Sequence, residues 1–354
     1  MTVRKVGSCR IVRELGRGGM GVVYEALQEG LDRRVAVKEL PADVASRKEM
    51  AERFRREGMA YARLRHQSIV TVHDLVEKND AIYLVTELVD GADLQKLLGK
   101  GGPFPPAVVA VIGARVAEAL DHAHFNKLLH RDVKPSNVML SRDGVVKLMD
   151  FGVVKDQAAE DLTREGMVVG TPAFLAPELT TGGKGTVQTD IWALGVTLYE
   201  IATGDRPYRA ESMPELFAAI RSGKYRPVRS HDPVIPRALA NIIQRCLKPR
   251  PRSRWRSAAE LARELDHVAV KMLRGIHPQV CLADFMHTRG FENVEHATEL
   301  VGGPNGATVD VGDDLVVSEK VSTGGLARWF VGGVVAAAAG GAAYYFTHVN
   351  HLVR

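Results

Sequence analysis

The residues best equipped for chemistry lie between His130 and Gly152. The run His130-Arg131-Asp132-Val133-Lys134-Pro135-Ser136-Asn137 offers a carboxylate, an ammonium and a carboxamide, and Asp150-Phe151-Gly152 adds a second carboxylate. A carboxylate and a carboxamide are suitable oxygen ligands for a hard cation such as Mg2+, and the remaining carboxylate can receive a proton. These groups act together only if the fold joins positions 137 and 150. The intervening sequence supplies the device. Val138-Met139-Leu140, a turn at Ser141–Gly144, and Val145-Val146-Lys147-Leu148-Met149 read as the two short strands of a hairpin. A hairpin brings its ends together, so Asn137 and Asp150 are expected side by side, with Asp132 on the loop just before them.

Two earlier stretches must supply the rest of a phosphate site. Leu15 to Tyr24 contains Gly16, Gly18 and Gly21 in a G-x-G-x-x-G string. A helix would have to follow in a dinucleotide-binding turn, but Val22-Val23-Tyr24-Glu25-Ala26 is strand-like. Glycines between two strands make a hairpin whose backbone can close over phosphates without Cβ clashes. Arg33 to Leu40 alternates with period two, placing Ala36 and Lys38 on one face. Residues 46–64 are helix-like, with Met50, Phe54, Tyr61 and Leu64 as the inward stripe. Glu57 falls on that stripe, where a carboxylate needs a cationic partner, and Lys38 is the natural one.

H-R-D-x-K-x-x-N followed by D-F-G at this spacing resembles the catalytic loop and metal motif of eukaryotic-like serine/threonine protein kinases. The strings Ala51-Glu52-Arg53-Phe54-Arg55-Arg56-Glu57 and Gly16 to Gly21 look most like the bacterial branch. The resemblance covers about residues 10–273 and implies an α+β, two-lobed fold: a small lobe (10–88) of antiparallel strands with one helix, and a mainly helical large lobe (89–273). It implies transfer of the ATP γ-phosphoryl group to protein serine or threonine, with ATP and Mg2+ as cofactors. Asp132, Lys134, Lys38 and Glu57 are the catalytic set it implies, and Asn137 and Asp150 the metal ligands. The nucleotide would be held by Leu15, Gly16, Gly18, Gly21, Val23, Ala36, Lys38, Thr86, Glu87, Val89, Asp93 and Met139. Ala173 to Glu178 resembles the end of an activation segment, with Phe174 where the family usually has tyrosine. Thr163 is then the expected activating phosphosite, modified in trans by a second copy. Asp190 is expected to cap the buried helix 189–203 and, by the resemblance, to anchor the catalytic loop. Arg254 is expected to pair with Glu178. Two other readings stay open: a catalytically weak pseudokinase serving as a membrane-anchored scaffold, and a membrane adaptor whose kinase fold matters only for docking.

The whole chain has 354 residues, 45% of them hydrophobic and 25% charged, with a net charge of +5. That is ordinary for a globular protein and calls for no nucleic acid. Cys9, Cys246 and Cys281 have no metal spacing, which fits a reducing compartment. The first ten residues hold no apolar run, so no signal peptide is expected. Further helices are expected at 106–125, 213–222, 236–247 and 257–273, a loop at 99–106, and a short helix within 281–291. Residues 274–325 read as a juxtamembrane extension and linker. Trp329 to Phe346 is an uncharged run of 18 residues. As a helix it spans about 27 Å, close to the hydrocarbon core of a bilayer. The expectation is a single-pass anchor (326–347) with a short tail (348–354), the kinase lobes on the cytoplasmic face, and homodimer pairing through its small residues.

Overall fold

The structure is a computed structural model that describes residues 4–18, 21–40, 52, 55, 58–78, 81–150 and 172–291. Glu57, Phe151, Gly152, Thr163, Thr171 and the apolar run 329–346 lie outside the described residues.

The small lobe is a six-stranded antiparallel sheet: β1 (Lys5–Val6), β2 (Cys9–Gly18), β3 (Gly21–Gln28), β4 (Arg33–Glu39), β5 (Val72–Lys78) and β6 (Ala81–Glu87), in the order β1-β2-β3-β4-β6-β5. Its register sorts side chains between two faces, because paired residues share a face and successive residues alternate. Val23 opposes Lys38 and Ala36 opposes Thr86, so these four share the inner face. Val22, Tyr24, Ala26, Val35, Val37, Tyr83 and Val85 take the outer face and form a separate small core with Val6 and Cys9. Residues ahead of β2 therefore cover what would be a bare sheet. Arg4 fastens that cover: its guanidinium donates to the Tyr24 hydroxyl (2.9 Å) and to Glu39 (2.7 Å). Under the inner face, residues 58–61 are helical, and Tyr61 and Leu64 are buried as the stripe requires.

The large lobe begins with β7 (Gly91–Asp93) and α1 (Leu94–Gly101). The loop expected at 99–106 is therefore corrected at its start. Asp93 caps α1 and three leucines of that helix are buried, which outweighs the helix-breaking tendency of Gly99 and Gly101. The other helices are α2 (Pro106–Phe125), α3 (Val187–Thr203), α4 (Met213–Ser222), α5 (Val228–His231), α6 (Arg237–Cys246), α7 (Ala258–Leu273) and α8 (Pro278–Thr288). β8 (Val138–Ser141) and β9 (Val146–Leu148) complete a three-stranded sheet with β7. α3 is buried nearly all round, as its unbroken apolar composition dictates. Its N-terminus is closed by a reciprocal box between Thr186 and Thr189, not by Asp190. That expectation is corrected: Asp190 lies one turn into the helix and faces elsewhere. Gly204, at φ +74°, ends the helix in a left-handed turn. Arg254 is 1% exposed and forks onto both carboxylate oxygens of Glu178 at 2.8 Å, as the family resemblance implied.

Candidate active site

The loop 130–137 is held from behind by buried polar groups. Asp190, fully buried in α3, accepts the backbone amides of His130 (2.9 Å) and Arg131 (2.8 Å) and lies 2.8 Å from His124 Nε2. Burial alone would raise its pKa, but the His124 contact and the backbone donors outweigh it, and the carboxyl stays below the usual range. These bonds hold Arg131 at φ +63°, a left-handed conformation that non-glycine residues avoid. The His130 ring is buried between loop and hairpin. Its Nδ1 accepts from the Asp132 amide (3.2 Å) and its Nε2 faces the Met149 carbonyl at 3.1 Å. One acceptor and one donor define a neutral tautomer, and burial depresses the pKa accordingly. Asp132 emerges next, 6% exposed. The Lys134 ammonium is 3.0 Å from Asp132 Oδ2, and the Asn137 amide donates to the same oxygen (2.9 Å) and to the Asp132 carbonyl (2.8 Å).

The hairpin does what its sequence promised. The Met149 amide donates to the Asn137 carbonyl at 3.0 Å, so Asp150 follows directly beside Asn137. Asp150 has φ +55° and meets the Lys38 ammonium at 2.6 Å. This ion pair crosses from β4 to the end of the hairpin and so joins the two lobes. Above it, Gly16 pairs with Val23 and Gly18 with Gly21, which places the glycines at the turn between β2 and β3. Below it, Asp93 opposes Met139 on the three-stranded sheet, and Met139 opposes Lys147. Lys147 reaches up to Glu87 at 2.5 Å. Thr86, Glu87 and Val89 stand where the chain leaves β6 for β7, none fully exposed. The cleft thus carries a glycine turn above, an ammonium–carboxylate pair at its depth and the Asp132 carboxylate at its front. That suits a polyphosphate whose terminal group is handed to a hydroxyl.

The protein kinase domain profile matches residues 9–265. The chain belongs to the protein kinase family. It is 34% identical over 259 residues to the serine/threonine-protein kinase PrkC of Bacillus subtilis, a match covering 73% of this chain and 40% of that protein. It is 38% identical over 257 residues to the serine/threonine-protein kinase PknH of Mycobacterium tuberculosis H37Rv, covering 72% of this chain and 41% of that one. The chain thus spans about two-fifths of the length of these curated relatives. Among solved structures, the kinase domain of M. tuberculosis PknI superposes with a TM-score of 0.62 at 30% identity, covering 76% of this chain and 98% of that one. Rad53 residues 1–466 in complex with AMP-PNP superposes with a TM-score of 0.63 at 25% identity, over 74% of this chain and 65% of that one. The fold is accordingly the two-lobed protein kinase fold, and the domain is a serine/threonine kinase domain.

Kinase domains use ATP with Mg2+, and the residues present fit the cation. The Asn137 amide nitrogen is committed to Asp132, which leaves Oδ1 as its outward acceptor. Among the described residues no cluster of three or more acidic, cysteine or histidine side chains forms a metal cage. Mg2+ takes one or two protein oxygens and completes its shell with phosphate and water, a demand that Asn137 and Asp150 could meet. The expected partner of Lys38, Glu57, lies outside the described residues; the partner seen is Asp150. The sequence reading missed Lys147 and His124. Lys147 had a signal, since period two puts it on the face of its neighbour Met139. His124 had none, because it meets Asp190 only through the packing of α2 on α3.

Proposed function

We propose that the protein transfers the γ-phosphoryl group of ATP to serine or threonine hydroxyls of protein substrates, by means of the cleft between β4 and the β8–β9 hairpin. One observation carries this reading: Asp132, Lys134 and Asn137 converge within 3.0 Å while Lys38 and Asp150 meet at 2.6 Å beside them. Little covalent work falls to the protein in such a transfer, so positioning and charge neutralisation dominate. Asp132 orients the acceptor hydroxyl and takes its proton as the oxygen–phosphorus bond forms. The bond from phosphorus to the β-bridging oxygen breaks and ADP leaves. Lys134 balances charge on the transferred group. Lys38 would exchange Asp150 for the α- and β-phosphates, and Asp150 and Asn137 would then be the residues that hold Mg2+. Mg2+ held there would neutralise the phosphoryl oxygens. Glu57 would then steady Lys38. Leu15, Val23, Ala36, Thr86, Glu87, Val89 and Met139 would enclose the base, with Asp93 at the ribose.

The test is phosphate incorporation from radiolabelled ATP by the full chain. Asp132→Asn and Asp150→Asn each remove nearly all of it, since each deletes an interaction made in the transition state. Near wild-type turnover in Asp150→Asn would sink the metal assignment, and equal signals from wild type and Asp132→Asn would favour an inert scaffold.

Regulation and location extend the same reading. Thr163 is the activating site: a phosphate there brings about −1.5 to −2 charges for Arg131 to receive. Mass spectrometry of active protein with Thr163 unmodified refutes it. Trp329 to Phe346 anchors the chain in a membrane, with Lys320 and Arg328 on the cytoplasmic side. Gly332, Ala336 and Gly340 would form the face on which two such helices pair. Alkaline-wash fractionation of the full chain against one ending at Gly325 decides the anchor; both remaining soluble refutes it.

A further inference from the structure

Helix α8 lies wholly beyond the residues that match the kinase family, yet it is not a loose appendage. Leu282, Phe285 and Met286 are buried against the large lobe. Its two ends grip two different elements. At the N-terminal end, Gln279 donates its side-chain amide to the Asp143 carbonyl at 3.0 Å. The neighbouring Gly144, at φ +83°, lies so close that a Cβ there would stand 2.1 Å from the Gln279 carbonyl oxygen. Asp143 and Gly144 form the turn of the β8–β9 hairpin, whose other end carries Asn137 and Asp150.

At the C-terminal end, Arg289 reaches the last turn of α1. Its guanidinium donates to the carbonyls of Gly102 and Pro103, both at 3.1 Å, and of Leu97 at 3.4 Å. These include orphan acceptors at the negative end of the helix, where a cation is favourable. The guanidinium also lies over the rings of Phe104 (5.5 Å) and Phe285 (4.9 Å), which pack on each other at 4.7 Å. Desolvation depresses its pKa, as befits a group drawn out of water. Gly101 leaves it room, since a Cβ there would stand 1.7 Å from Arg289 Nη1. The opposite end of α1 is capped by Asp93, whose Oδ1 accepts the Lys96 amide at 2.8 Å.

We propose that α8 is a positioning strap for the nucleotide and metal site: Arg289 steadies Asp93 through α1, and Gln279 with the first turn of α8 steadies Asn137 and Asp150 through the hairpin turn. The inference rests on the nucleotide and metal roles proposed above. It assigns Arg289 and Gln279 as positioning residues, neither touching substrate. A strap of this kind acts on binding constants, because it sets where the ligand-holding groups stand without contributing to the transfer itself.

The test uses the full chain and separates positioning from mere stability. Arg289→Ala is expected to raise KM for ATP by roughly two- to thirtyfold, the range for substitutions that act through a connected network. Gly144→Ala and Gln279→Ala are expected to raise the Mg2+ concentration for half-maximal activity, with kcat at saturation changed less. Gln279→Ala removes one exposed hydrogen bond only, so it keeps the test open should Gly144→Ala fail to fold. The control is Leu239→Ala, which opens a cavity in α6 away from both ends of the strap. It is expected to lower Tm while leaving KM for ATP and the Mg2+ requirement unchanged. The proposal is overturned if Arg289→Ala and Gln279→Ala leave both constants at wild-type values. It is equally overturned if Leu239→Ala shifts them as much. Failure of the underlying reading looks different, since Asp150→Asn would then keep its Mg2+-dependent turnover whatever the strap variants do.

Discussion

Replacing Asp190 by asparagine removes a charge and almost no volume, and the geometry says what must follow. The carboxylate accepts two backbone amides, from His130 at 2.9 Å and Arg131 at 2.8 Å. A hydrogen bond to a charged group contributes about 1.5–3 kcal/mol, so the pair contributes about 3–6 kcal/mol. Against this stands the left-handed Arg131, at φ +63°, which costs about 1–2 kcal/mol. The carboxylate wins comfortably. An asparagine can accept one amide with its oxygen, but its own NH2 must face the other donor. A single neutral bond contributes about 0.5–1.5 kcal/mol, which no longer exceeds the strain. Arg131 should relax and carry Asp132 with it. A misplacement of about 1 Å at a reacting group costs about 100-fold in rate. The expected outcome is a loss of about 2–5 kcal/mol in stability by urea denaturation, and a kcat lowered about 100-fold with KM for ATP nearly unchanged. Asp190→Asn with kcat within about threefold of wild type would refute the reasoning, because strain and support would then not be in the balance described.

Arg254→Met leaves Glu178 without its fork and is expected to cost about 3–5 kcal/mol by denaturant unfolding, with Glu178→Gln added to the same chain recovering part of the loss. Gly195→Ala would set a Cβ 2.4 Å from that of Cys246 where α3 crosses α6, and the overpacking should cost about 1–3 kcal/mol in the same measurement. Acid should destabilise the fold in two steps. Burial depresses His130, and also His66, His73 and His231; the Asp190 carboxyl is depressed by its bonded partners. A group whose pKa is lower folded than unfolded contributes stability that is complete above the unfolded value and lost as pH falls toward the folded one. Those unfolded values are about 6.5 for histidine and 3.9 for aspartate. Urea midpoints should therefore fall between pH 7.5 and 5.5 and again below about pH 4; a flat profile across the first interval would contradict the histidine part.

What the sequence disclosed and what it hid divide along one line. Features that are local in sequence, or that follow from a single period, were legible. The hairpin joining Asn137 to Asp150, the shared face of Ala36 and Lys38, and the helix Pro106–Phe125 all came from runs of at most 20 residues whose pattern admits one fold. The catalytic loop was legible because its chemistry is concentrated in eight positions. Features created by packing between distant segments were not. Residues 72–78 lack clean alternation, since their strand is an edge whose side chains are partly covered. α1 was masked by Gly99 and Gly101, and the smallness of Gly101 serves Arg289, nearly 190 positions away. Asp190 looked like a helix cap because it stands near a helix start; that its carboxylate turns to amides some 60 residues earlier was expected only through the family resemblance. Arg254 pairing with Glu178 was expected only through the family resemblance, for nothing in either neighbourhood announces it.

The two-residue strand at the start of the chain decides where the protein can be shortened. Val6 and Cys9, each 1% exposed, seal the outer face of the small-lobe sheet, and Arg4 pins the seal to Tyr24 and Glu39. The family match opens only at residue 9, so a boundary drawn from it would discard Arg4 and Val6. Val35, Val37 and Val85, now at 0% exposure, would lose part of their cover and become a contiguous apolar patch of the kind that drives self-association. A purification tag can precede Arg4, but it cannot take the place of the residues that follow, and material trimmed to the family boundary should be recovered as aggregate although its cleft is intact.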